Sequence, residues 1–89
     1  MYSLLIVDDE QEILDYLKSL FADMTDYEFS IYSALSAEEA IEWLNQIKID
    51  IVVTDIKMPG LSGIDLLERI KYNWPSCKVV FLTGYRDFE

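Results

Sequence analysis

The sequence predicts a single α/β domain with a parallel sheet covered by helices on both faces. Three observations carry that reading. Short apolar runs alternate with helical stripes along the whole chain. Two of the runs, Ile51-Val52-Val53 and Val79-Val80-Phe81-Leu82, are apolar on both faces, as expected of strands buried within a parallel sheet. The length, 89 residues, suffices for one small domain and no more.

The elements follow in order. Ser3 to Val7 is a run of strand formers stopped by Asp8-Asp9-Glu10. Ile13, Leu14, Leu17, Leu20 and Phe21 then recur at helical spacing, with polar residues between them. Phe29 and Ile31 alternate with Glu28 and Ser30, which predicts a second strand with one wetter face. Ser36 followed by Glu39 is a capping-box pattern, and Ala37, Ala40, Ile41, Leu44 and Ile47 mark a second helix after it. The third strand lies within Ile49 to Thr54. Met58-Pro59-Gly60-Leu61-Ser62-Gly63 is a loop by composition. Ser62 caps a third helix carrying Ile64, Leu67 and Ile70, which Trp74-Pro75 ends because proline disfavours helical geometry in the residue before it. Val79 to Leu82 is a fourth, buried strand. Thr83-Gly84 opens a loop, and Tyr85 to Glu89 reads as the start of a further helix. The order βαβαβαβ argues for right-handed crossovers between parallel strands.

Composition narrows the function. The chain is 52% hydrophobic with three Gly and two Pro, hence globular rather than disordered. Seven basic residues against seventeen acidic ones give a charge of −10, which disfavours direct contact with nucleic acid and suits a cationic protein face or a metal ion. The absence of histidine removes every imidazole ligand and base, and Cys77, alone, allows neither an internal disulfide nor a zinc cluster. Leu4 to Val7 lacks a basic flank and runs into acids, so it is neither a signal peptide nor a membrane span. The expected location is the cytoplasm.

In open parallel sheets ligands bind outside the carboxyl ends of the strands. Three such ends carry oxygen-bearing side chains here: Asp8 and Asp9 after the first strand, Asp55 after the third, Thr83 after the fourth. Each alone has an ordinary explanation. Asp8-Asp9-Glu10 suits the positive end of a helix dipole, Asp55 suits a solvated loop, and Thr83 suits a strand end. Together they predict one polar site on a single sheet edge.

Ile6-Val7-Asp8-Asp9-Glu10, Thr54-Asp55-Ile56-Lys57-Met58-Pro59-Gly60 and Leu82-Thr83-Gly84 resemble, in register, the three signature stretches of the response-regulator receiver domain of two-component signalling. The resemblance implies a flavodoxin-like doubly wound parallel sheet of strand order 2-1-3-4-5. It implies Asp55 as phosphoacceptor, a Mg²⁺ ion held by Asp9, Asp55 and the backbone carbonyl of Lys57, with Asp8 bound through water, and Thr83 as switch hydroxyl. The side chains of Lys57 and Tyr85 would influence the lifetime of the acyl phosphate. A signalling module rather than an enzyme is expected, served by a sensor histidine kinase and controlling an output domain outside this sequence. Thr83 to Glu89 further resembles receivers joined to a DNA-binding domain of the arabinose-regulator type.

The sequence departs from the family pattern at its end. Strand five and helix five would follow Glu89, so residues 1–89 are expected to be a truncated receiver. None of the lysines at 18, 48, 57, 71 and 78 occupies the place of the family's phosphate-binding lysine. Slow or undetectable phosphorylation is therefore expected, together with self-association as a homodimer through the fourth strand, the uncovered sheet face, or an exchange of terminal elements. Two other readings compete. A haloacid-dehalogenase-like phosphatase would need Asp-x-Asp after the first strand, where residue 10 is Glu; a phosphorylation-incompetent interaction module would need only the fold.

Overall fold

The computed structural model describes residues 2–24 and 28–82. Seven elements alternate: β1 (Tyr2–Val7), α1 (Gln11–Ala22), β2 (Phe29–Ala34), α2 (Ala37–Gln46), β3 (Ile51–Asp55), α3 (Gly63–Asn73) and β4 (Lys78–Leu82). The strands form one parallel sheet of order β2-β1-β3-β4, the doubly wound arrangement expected. The expected fourth strand is present; Thr83-Gly84 and the helix start at Tyr85 to Glu89 lie outside the described residues.

Alternation along each strand sorts the core into two layers. Leu5, Val7 and Val52 face α2 and α3, meeting Ala37, Ala40, Leu44, Leu66 and Ile70. Leu4, Ile6 and Val53 face α1, meeting Leu14 and Leu17. The two tryptophans are packing residues, both set against the first layer. Helix three turns differently from the expectation: Gly63, Leu66 and Ile70 point inward, while Ile64 is exposed and Leu67 half-buried.

β4 is less buried than an apolar run suggests. Val80, 51% exposed, stands level with Val53 on the α1 side of the sheet. Among the described residues α1 packs mainly over β1 and β2, which leaves Val80 uncovered.

The ends of the helices follow local chemistry. The Ser36 hydroxyl accepts from the Glu39 N–H at 3.1 Å, but the Glu39 carboxylate takes the Leu35 N–H instead of closing a box. The reciprocal box forms at Ser62 and Asp65, each side chain accepting from the other's backbone N–H. At the opposite end of the sheet Asp50 joins three strands. Its carboxylate accepts from Ser3 N–H at 2.8 Å, its N–H donates to the Ser3 carbonyl, and its own carbonyl accepts from Lys78 N–H. These bonds help set the register that brings the other strand ends level.

Between β3 and α3 the chain turns tightly. Gly60 has a φ of 78°, which side-chain-bearing residues rarely adopt. Gly63 N–H donates to the Ile56 carbonyl at 2.8 Å, and a Cβ on Gly63 would lie 2.2 Å from the Asp55 carbonyl oxygen. Helix three therefore starts against the backbone of Asp55 itself. Gly63→Ala should destabilise the domain by about 2–3 kcal/mol, the cost of forcing packed backbone apart. Urea unfolding checks this, and wild-type stability in that variant would show that the turn yields cheaply.

Candidate functional site

β1 and β3 are neighbours with Val7 level with Thr54, so the residues that follow, Asp8 and Asp55, emerge side by side. Both are buried for charged groups, Asp8 at 3% exposure and Asp55 at 8%. Sequence distance is no obstacle, because the parallel sheet supplies the convergence.

Each carboxylate is oriented by a local bond. Asp8 Oδ1 accepts from Glu10 N–H at 2.9 Å, a turn geometry that short acidic side chains favour. Asp55 Oδ1 accepts from Ile56 N–H at 2.8 Å. Their second oxygens make no hydrogen bond, and no buried side-chain oxygen among the described residues lacks a partner. Those second oxygens are therefore the ones that reach solvent. Behind Asp55, the Thr54 hydroxyl is wholly buried and donates to the Asp55 carbonyl at 3.0 Å, which helps hold the backbone that carries the acid.

Asp9 and Glu10 are exposed at the start of α1, with Glu10 as its N-cap. Asp8, Asp9 and Glu10 can each offer one carboxylate oxygen, all within 4.8 Å of one another. Asp55 is not a member of that trio, but its charge acts on it. Burial pushes the Asp8 carboxyl above the ordinary value of 3.8, the Glu10 N–H opposes that rise, and the charges of Asp55, Asp9 and Glu10 add to it. The sign for stability follows. A carboxyl raised in the folded state favours folding while protonated, and this contribution is lost as pH rises through its folded pKa. Once ionised, Asp8 opposes the fold that places it.

Such a donor set fits a hard divalent cation: oxygen ligands, negative charge in excess, and an opening to water. Sequence reading passed over Glu10 as a donor. Its adjacency to Asp8 and Asp9 was the available signal, but it was read only as part of a helix-start cluster. Lys57 is exposed, two residues past Asp55, in a loop anchored by buried Met58. Thr83 and Tyr85 lie outside the described residues; Thr83 directly follows Leu82, which is level with Asp55 in the sheet. Cys77 is buried and its thiol pushed up to about 11, by burial first and the Asp50 charge second, so it is unreactive at neutral pH. No helix among the described residues is long and apolar enough to cross a membrane.

Comparison with known proteins meets this geometry from outside. The family model described as the response regulator receiver domain matches residues 4–89. An uncharacterized response regulatory protein of Staphylococcus epidermidis is 38% identical over 90 residues, covering 100% of this chain and 35% of that protein. The transcriptional regulatory protein HptR of Staphylococcus aureus is 39% identical, covering 100% of this chain and 34% of its own length. The chain thus spans about a third of the curated relatives it matches. A response regulator receiver domain protein from Clostridium thermocellum superposes with a TM-score of 0.86 at 36% identity, over 99% of this chain and 69% of that one. The response regulator TrrA of Thermotoga maritima, solved in complex with Mg²⁺-BeF, gives 0.87 at 31% identity, over 100% of this chain and 75% of that one. A crystal structure of the histidine kinase ThkA in complex with TrrA gives 0.84 at 33%, over 96% of this chain and 71% of the matched chain. Sheet order, signature stretches and family match agree: the chain belongs to the response-regulator receiver domain family.

Proposed function

We propose that this domain accepts a phosphoryl group on Asp55 in a Mg²⁺-dependent reaction, as the switch of a two-component pathway. The observation that carries the reading is the placing of Asp55 beside Asp8 at adjacent strand ends, with one Asp55 oxygen tied to Ile56 N–H and the other open. The open oxygen attacks phosphorus, the bond from phosphorus to the donor breaks, and the donor's leaving group departs with the electron pair. The chain has no histidine, so the donor is another molecule: a phosphohistidine of a sensor kinase or a small acyl phosphate. The ThkA–TrrA complex supports a kinase as the partner.

Asp8, Asp9 and Asp55, with the carbonyl of Lys57, would hold Mg²⁺, and Glu10 stands close enough to contribute. When bound, the ion offsets negative charge on the incoming phosphoryl group. The protein's own part is orientation: the Glu10 and Ile56 N–H groups fix Asp8 and Asp55, and Gly63 holds the backbone under Asp55. We assign Thr83 the role of a hydroxyl donor to the phosphoryl oxygen. The signal passes to an output domain, DNA-binding by analogy with relatives named transcriptional regulators. The domain itself makes no direct contact with nucleic acid, consistent with its charge of −10. Its place of action is the cytoplasm.

Incubation with acetyl phosphate and Mg²⁺, read by intact-mass spectrometry, should add one phosphoryl group slowly to this 89-residue chain and none to Asp55→Asn. Label retained on that variant would move the acceptor elsewhere. Self-association is also part of this reading, through β4 or the sheet face beside it, where Val80 is exposed and Phe81 and Leu82 are half-buried. The shared charge of −10 opposes it, so the homodimer should strengthen with ionic strength in sedimentation runs. A monomer at every salt concentration would refute the dimer.

A further inference from the structure

The other edge of the sheet carries a feature that the phosphoacceptor reading leaves unused. β2 is an edge strand, and two bonds fix which of its groups face inward. Tyr2 N–H donates to the Glu28 carbonyl at 3.0 Å, and Asp8 N–H donates to the Ala34 carbonyl at 3.2 Å. A residue in an extended strand points its N–H and C=O to the same side, and successive residues alternate. Residues 28, 30, 32 and 34 thus face β1, while Phe29, Ile31 and Ser33 turn outward. Trp43 confirms the alternation, since its indole N–H donates to the Ser33 carbonyl at 3.0 Å.

Edge strands are usually blunted by lysine, proline or an inward charge. β2, Phe-Ser-Ile-Tyr-Ser-Ala, has none of these. Beside it runs a groove of about 460 Å³ along α2, lined by Ser36, Glu38, Glu39, Glu42, Trp43 and Gln46. The indole is fixed by its bond to β2 and by Tyr32, with ring centroids 4.9 Å apart. The helix carries three glutamates and no basic residue. The Glu38 and Glu42 carboxylates engage in no hydrogen bond or ion pair among the described residues.

We propose that the β2 edge and the α2 groove dock an extended, basic segment of a partner protein. Its backbone would pair with the outward N–H and C=O of Ile31, as in strand addition to an open edge. A lysine or arginine would enter the groove between the carboxylates and lie on the Trp43 ring. Charge selects this occupant over a second copy, because two chains of charge −10 would bring their acidic grooves together. The surface is separate from Asp55, so the proposal stands or falls independently of phosphorylation.

The test is amide NMR on the whole 89-residue chain, titrated with a short peptide of alternating Lys and Val. Shifts should centre on Ile31, Ser33 and the Trp43 indole, with slowed hydrogen exchange at the Ile31 amide. Methylating the peptide's backbone nitrogens should abolish binding, and Glu42→Gln, an exposed substitution, should weaken it about threefold. Shifts centred on Asp8 to Glu10, equal binding of the methylated peptide, or pairing of two copies through β2 without peptide would each overturn the proposal.

Discussion

Everything at the site depends on the parallel pairing of β1 with β3. That pairing, with Val7 level with Thr54, sets two acids side by side although forty-six residues separate Asp8 and Asp55 in sequence. An apolar sheet is what makes the arrangement costly. Leu4 to Val7 and Val52 to Thr54 are almost wholly excluded from water, so the strands end where solvation has only begun to return. Asp8 is therefore poorly hydrated and close to three like charges. The core that stabilises the domain also creates the electrostatic tension of its site.

The supports of the site are mostly backbone features. Glu10 N–H and Ile56 N–H hold the two acids, Thr54 bonds the Asp55 carbonyl, and Gly63 lets α3 begin in contact with that carbonyl. Asp50 helps level the strands from the far end. Side chains that touch the acids can vary in size, whereas a backbone contact tolerates little. A change at Gly63 thus acts on Asp55 without touching its carboxylate.

Much of this was legible in the sequence, for identifiable reasons. Apolar runs and helical stripes located the seven described elements, and oxygen-bearing residues at strand ends pointed to Asp8 and Asp55, which the sheet sets side by side. Periodicity was weakest in α3, where Ile64 and Leu67 suggested the inward face that Gly63, Leu66 and Ile70 take. A buried glycine carries no hydrophobic signal, so a stripe that begins with one reads out of phase. The exposure of Val80 was also illegible, because hydrophobicity marks a strand without saying which of its residues the described helices cover. Glu10 was visible as a charge but not as a donor near Asp8 and Asp9, since that closeness depends on the turn closed by Asp8 Oδ1. The bond from the Trp43 indole to the outward Ser33 carbonyl required the sheet order.

The central claim is that the sheet forces mutually repelling carboxylates together and that a divalent cation relieves them. Titration of the Asp8 carboxyl carbon by NMR, with and without Mg²⁺, tests it most directly. The account predicts a midpoint above 3.8 without the ion and a clear fall when Mg²⁺ is added. A midpoint at or below 3.8 without the ion, or one that Mg²⁺ leaves unmoved, would contradict it.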